Sequence, residues 1–170
     1  MDHAVGVSSP GVNLPSGYQW QVGTVGDRLA LIDTLLAAYR EIFPHQQQFD
    51  HLVPTLDYYL SAKTPLRWVI HGQERIGCIW WGHAIEQVSG DRYVHIFLLY
   101  VVPTHRRCGI GTALMDLAQA WAAQEGYRKI GLQVFAENQA ALSLYNRLGY
   151  QPQSVLMLKA IPQNSPVDVP

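Results

Sequence analysis

The residues whose types and spacing best suit chemistry are Arg106-Arg107-Cys108-Gly109-Ile110-Gly111. Glycines at 109 and 111 remove the Cβ atoms that would hold an anion away from backbone N–H groups, and the two arginines add positive charge beside them. Before this hexapeptide, His95-Ile96-Phe97-Leu98-Leu99-Tyr100-Val101-Val102 is almost continuously apolar, β-branched or aromatic, which reads as a buried strand that Pro103 ends. After it, Leu114, Leu117, Ala118 and Trp121 recur at helical spacing until Gly126 closes the segment. A strand, a glycine loop and a helix therefore follow one another. The first turn of such a helix has unpaired N–H groups and the positive end of the peptide dipole, so the loop suits a pyrophosphate. A plain tight turn would use the same glycines, and the loop alone does not separate the two.

The spacing excludes two common phosphate sites. No lysine follows Gly111, as a Walker-type loop requires. A dinucleotide fingerprint finds Leu114 at its third small position and no acid between Gln133 and Ala136 for a ribose. The pattern Arg-x-x-Gly-x-Gly, preceded by Leu99-Tyr100-Val101-Val102-Pro103, instead resembles the coenzyme A pyrophosphate loop of the GCN5-related N-acetyltransferases (GNAT). A second block, Asn138-Gln139-Ala140-Ala141-Leu142-Ser143-Leu144-Tyr145-Asn146-Arg147-Leu148-Gly149-Tyr150, is similar to that family's Asn-x-x-Ala-x-x-Leu-Tyr-x-x-x-Gly-Phe segment, with tyrosine at the last position. Both motifs stand in the family's order, and the resemblance spans about Ile96 to Tyr150.

The resemblance implies acetyl-CoA as co-substrate and direct transfer of its acetyl group to a primary amine, without a covalent acetyl-enzyme. It places the oxyanion donor near Tyr100 and Val101, where the family's strand splays from its neighbour to admit the pantetheine arm. Arg106, Arg107 and the backbone of Cys108, Gly109, Ile110, Gly111 and Thr112 would hold the pyrophosphate. Asn138 would contact the coenzyme as well as cap its helix. Tyr145 matches the family's tyrosine and is neutral at pH 7, so it suits a general acid toward the coenzyme sulfur. The general base departs from the common pattern, because Phe97 and Leu98 lie where many relatives have an acid. His95 matches the place of a catalytic glutamate in one branch of the family and titrates in a useful range. Glu41, Glu86 or a water chain are the alternatives. The missing acid also keeps open a non-catalytic acetyl-CoA-binding module. An oxidoreductase is a third reading, which requires NADH to bind in place of coenzyme A.

Other reactive side chains suggest little more. His83 and His95 face each other only in one register of the intervening hairpin and would supply just two ligands, so no metal site is expected. Cys78 and Cys108 form no C-x-x-C pair and are expected as free thiols, Cys108 inside the anion loop with a lowered pKa open to it.

The elements that must position these residues read as a single α/β (α+β) domain over residues 18–160. Tyr18 to Val25 suggests a strand, and Asp27 caps a helix carrying Leu31, Leu35, Tyr39 and Ile42 on one stripe until Pro44. A second helix is expected from Leu52 to Ala62, with Pro54 in its first turn and Phe49, Leu52, Leu56, Tyr59 and Leu60 on its apolar side. The resemblance lines the acceptor site with these two helices and their connection, Pro44-His45-Gln46-Gln47-Gln48. Leu66–His71, Arg75–Val88 and Arg92–Val102 read as an antiparallel meander turning at Gly72-Gln73 and Ser89-Gly90. In its middle strand Ile76, Cys78 and Trp80 are expected on one face, Ile79 and Trp81 on the other. Arg128 to Phe135 is the next strand, Asn138 starts the last helix, and Gln151 to Lys159 offers a final strand. The expected fold is thus a mixed, mainly antiparallel sheet of about six to seven strands with helices on both faces. Residues 1–17 and 161–170 are expected as flexible termini.

Composition narrows the class further. At 170 residues, 48% hydrophobic and 15% charged with net charge −1, the chain can bury its own core and has no basic field for nucleic acid. No run approaches the ~18 apolar residues of a membrane span, and the start lacks the basic and apolar regions of a signal peptide. A cytoplasmic protein acting on an amine-bearing small molecule or protein is expected, with no membrane partner. Tyr39, Phe43, Trp80 and Trp81 hint at an apolar or flat acceptor. The oligomeric state stays open, a homodimer included.

Overall fold

In the computed structural model, which describes residues 11–161, five strands form one sheet in the order β1-β2-β3-β4-β5. The chain runs β1 (Tyr18–Gly23), α1 (Arg28–Ile42), α2 (Leu52–Tyr59), β2 (Leu66–His71), β3 (Glu74–Ile85), β4 (Arg92–Val101), α3 (Ile110–Gln124), β5 (Ile130–Leu132) and α4 (Gln139–Arg147). Neighbouring strands are antiparallel except β4 and β5, which the α3 crossover makes parallel.

The sheet separates two cores. On one side Ile76, Ile79, Trp81, Val94 and Ile96 pack against Ile110, Leu114 and Ala118 of α3. On the other, Trp68, Cys78, Trp80 and Leu98 pack against Leu31 and Leu35 of α1, Phe49, and Leu52 and Leu56 of α2. Both faces of β3 are thus buried, as its continuous apolar run implies. Two bulges set which residue faces which core. Val69 pairs with Gly77 but Ile70 with Arg75, so Ile76 is an extra residue in β3 and turns to the α3 side, with Ile79 and Trp81 rather than with Cys78 and Trp80. Similarly Trp80 pairs with Leu98 but Trp81 with Ile96, leaving Phe97 as the extra residue in β4. Phe97 and Leu98 consequently both pack in the α1–α2 core.

Several element boundaries differ from the sequence reading. β3 stops at Ile85 rather than Val88, and residues 86–91 form the connection to β4. The Glu86 carboxylate accepts from the amides of Val88 and Ser89 and from the Ser89 hydroxyl, which gives these residues partners outside the ladder. In the resulting register Gly82 is opposite His95 and His83 opposite Val94, so the two histidines are not paired. Among the described residues no group of three or more His, Cys, Asp or Glu side chains is placed to hold a metal.

β5 spans three residues instead of Arg128 to Phe135, and Gln151 to Lys159 forms no strand. Val155, Leu156, Met157 and Leu158 are all exposed there. A strand needs a partner edge, and three residues of β5 present too short a one. The described residues therefore carry five strands rather than six or seven. At the other end, the Val12 carbonyl accepts a bond from Trp20 Nε1 at 3.0 Å and Leu14 packs on the α3 core. The expected flexible stretches at 1–10 and 162–170 lie outside the described residues.

Candidate functional site

The ladder between β4 and β5 ends where the site begins. Val94, His95 and Ile96 pair with Ile130, Gly131 and Leu132, and beyond that β4 continues to Val101 while β5 stops. From Phe97 to Val101, β4 therefore has β3 as its one strand neighbour. Its other edge borders a cleft of about 960 Å³ that also receives α1, α2, the start of α3, residues 133–138 and α4. This is the splay that sequence could not display. An open edge of N–H and C=O groups suits an extended ligand carrying amide groups.

One end of the cleft is the anion loop. After Val101 the chain makes a single 3-10 turn (Pro103–His105) and passes through left-handed Arg107 (φ 66°) and Gly109 (φ 93°) into α3. Ile110 is buried in the α3 core and anchors the first turn. Helix geometry leaves the amides of Ile110, Gly111 and Thr112 without intrahelical acceptors, whereas Ala113 N–H already bonds to the Gly109 carbonyl at 3.0 Å. A Cβ on Gly109 would meet nothing nearer than Pro15 Cγ at 4.0 Å, so the space beside the Gly109 Cα is open. Gly111 has a second use: a Cβ there would lie 3.3 Å from Leu144 Cδ2, so the glycine lets α4 close on the start of α3. Cys108 is exposed, and its thiol donates to the His105 carbonyl at 3.0 Å.

The two arginines differ. Arg106 turns into the protein: its Nε–H donates to the Val101 carbonyl at 2.7 Å and its Nη2–H to Glu41 Oε2 at 2.7 Å. The other Glu41 oxygen accepts from the Tyr100 hydroxyl at 2.6 Å. Burial and this carboxylate push the Tyr100 phenol up to about 12. Glu41 thus ties the end of α1 to the end of β4 and neutralises Arg106. Arg107, by contrast, is exposed, lines the cleft and makes no side-chain hydrogen bond among the described residues.

The other candidates line the same cleft. Asn138 caps α4, its Oδ1 accepting from Ala141 N–H at 3.1 Å. Tyr145 is half-buried against Leu148 and Tyr150, with ring centroids of the two tyrosines 5.8 Å apart, and burial pushes its phenol up to about 12. It is a protonated donor at neutral pH. His95 sits on the cleft side of β4 with Nδ1 3.2 Å from the Tyr93 hydroxyl, and burial lowers its pKa below the ordinary 6.5. Its imidazole is therefore neutral at pH 7. Glu41 also lines the cleft but spends both oxygens as described, and Glu86 lies on the β3–β4 connection, away from it. Tyr39 and Trp80 line the cleft as the sequence hinted. Trp81 does not, because it faces the α3 core and packs on Trp121 at 5.6 Å. Sequence reasoning did not assign the Glu41 bridge or the cleft aromatics Tyr59 and Phe135; for Tyr59 the only signal was its place on the α2 stripe.

The β4–β5 pair, parallel from Val94 to Ile96 and open beyond, thus has a helix N-terminus at its mouth. Comparison with known proteins gives the family. A model of the acetyltransferase (GNAT) family matches residues 29–150, and the chain belongs to that family. It is similar to an uncharacterized N-acetyltransferase of Methanocaldococcus jannaschii, 34% identical over 79 residues that make up 46% of this chain and 33% of the relative. The chain spans about a third of the length of that relative. Among solved structures, a putative acetyl transferase from Pyrococcus furiosus superposes with TM-score 0.68 at 22% identity, covering 84% of this chain and 100% of the other. A predicted acetyltransferase from Clostridium acetobutylicum, solved with acetyl-CoA, gives TM-score 0.70 at 16% identity over 84% and 96% of the two chains. At these identities the structural likeness is one of fold.

Proposed function

We propose that the chain transfers the acetyl group of acetyl-CoA directly to a primary amine. The observation that carries this reading is the continuous cleft joining three features: the free amides of the α3 start, the β4 edge beyond Ile96 that β5 does not pair, and the neutral side chains of His95 and Tyr145. A pyrophosphate fits the open space before Gly109, and a pantetheine arm fits the β4 edge. Bound there, the thioester supplies an electrophilic carbonyl carbon.

The chain's own groups would then act in turn. His95 takes a proton from the incoming ammonium, a task open to it because its imidazole is neutral. As the nitrogen–carbon bond forms, a β4 backbone N–H near Tyr100 and Val101 donates to the carbonyl oxygen while negative charge develops there. As the carbon–sulfur bond breaks, Tyr145 donates its phenolic proton to the departing thiolate, the nitrogen gives up its second proton to solvent to leave a neutral amide, and solvent later restores the Tyr145 proton and takes the one held by His95. Asn138 and Arg107 hold the coenzyme without joining the chemistry. Thiol release on mixing with acetyl-CoA and a panel of primary amines tests the reading. Release that depends on the amine supports it, and coenzyme binding with no release from any amine refutes it.

A second reading, a coenzyme-binding module without turnover, is favoured by the apolar pair Phe97 and Leu98. It requires Tyr145→Phe to leave every measured property unchanged.

A further inference from the structure

We propose that the acceptor is an arylalkyl monoamine, a flat apolar ring on a short chain ending in one primary amine. The proposal rests on the acetyl-transfer reading above and concerns the half of the cleft away from the anion loop.

That half is aromatic. Phe97 packs at a tilt against Tyr59 of α2 with centroids 4.8 Å apart and against Trp80 of β3, also at 4.8 Å. A second cluster pairs Tyr39 of α1 with Phe135 at 5.7 Å. All five line the one cleft, and Tyr59 and Phe135 keep about two-fifths of their surface exposed despite their size. Apolar area left open inside a concave site is area for a ligand to cover. The Phe97 position is also built into the backbone. The β4 bulge turns it to this face, and a Cβ on Gly82 would sit 2.6 Å from Phe97 Cε2, so the ring lies where a side chain would otherwise be. His95, the group placed to receive the amine proton, lies 5.4 Å from the Phe97 ring centroid to centroid. Ring site and amine site are therefore adjacent.

The charges point the same way. The only carboxylates lining the cleft among the described residues are Glu41 and Glu137. Glu41 is occupied by Tyr100 and Arg106, and Glu137 precedes the α4 cap at the coenzyme side. A polyamine would have to strip water from further ammonium groups with only Glu137, beside the start of α4, to meet them. A monoamine has only one such group, and it loses its charge at His95.

The test is calorimetric titration of the protein saturated with coenzyme A with 2-phenylethylamine, n-butylamine and spermidine. The arylalkyl amine should bind at least about tenfold more tightly than either of the others. Equal affinities, a preference for spermidine, or no binding of 2-phenylethylamine overturns the proposal. Tyr59→Ala should cut that preference to about threefold or less and leave n-butylamine and coenzyme affinity within about twofold. An undiminished preference refutes the ring's placement at this wall. Because binding is read without turnover, thiol release measured in parallel separates the two claims. Ring preference without release sinks acetyl transfer alone, and release with spermidine but not with 2-phenylethylamine sinks the acceptor class alone.

Discussion

Replacing Gly109 with alanine separates a ligand-binding role of the loop from a purely structural one, because α3 carries its own control. Gly109 (φ 93°) precedes the helix and Gly126 (φ 79°) follows it; both are left-handed, and a Cβ on either meets no protein atom closer than 4.0 Å. Each alanine therefore costs backbone strain alone, about 1–2 kcal/mol. For a chain of this size that lowers Tm by roughly 2–8 °C, similarly in both variants. Of the two, only residue 109 stands at the N-terminus of α3, beside the amides of Ile110, Gly111 and Thr112. Losing one charge-assisted hydrogen bond there costs about 1.5–3 kcal/mol. Kd for acetyl-CoA should rise by about 10- to 150-fold in Gly109→Ala and by less than about twofold in Gly126→Ala. Thermal denaturation and calorimetric titration of both proteins provide the two readings. Equal affinities in the two variants, at similar losses of stability, would refute the assignment of the loop.

Three further outcomes are expected. Tyr145→Phe keeps the buried ring and removes a hydroxyl with no protein partner among the described residues. It should lower kcat about 100-fold or more with coenzyme Kd and Tm unchanged, and an unchanged kcat would support the binding-module reading. His95→Gln should lower kcat/KM by at least about tenfold and abolish the acid limb of its pH profile. Burial depresses the His95 pKa, so the unfolded chain binds this proton more readily. Its contribution to stability is complete above about pH 6.5 and is lost as pH falls through the folded value, which comparing the pH dependence of Tm in both proteins would reveal. Glu41→Ala removes one Tyr100 bond and an ion pair in which each side chain is 36% exposed. After solvent screening the loss should be only about 1 kcal/mol by urea unfolding, and a loss above about 3 kcal/mol would show that the bridge is stronger than its exposure allows.

What could be read from the residues in advance follows the range of the forces involved. The β4–loop–α3 unit and the Asn138 cap rest on local patterns, and the structure keeps them. So does the α1 stripe, with Leu31 and Leu35 buried. The β4–β5 splay depends on where a ladder stops, which no local pattern encodes. The bulges at Ile76 and Phe97 are one-residue mismatches between partner strands, invisible within either strand alone. The bonds that Arg106 makes were not legible, because its partner Glu41 is 65 residues away and its other acceptor is a backbone carbonyl. Gln151 to Lys159 alternates well enough for a strand, yet β5 offers too short an edge to receive it. In the candidate cleft, the sharing of charge between Glu41, Tyr100 and Arg106 was not legible.

The most direct test of the account is calorimetric titration of the folded protein with acetyl-CoA, with NADH as control. The account predicts binding of acetyl-CoA at one site per chain and none of NADH. No heat from acetyl-CoA, or equal affinity for NADH, would contradict it, and the stretch from Arg106 to Gly111 would then be only a turn.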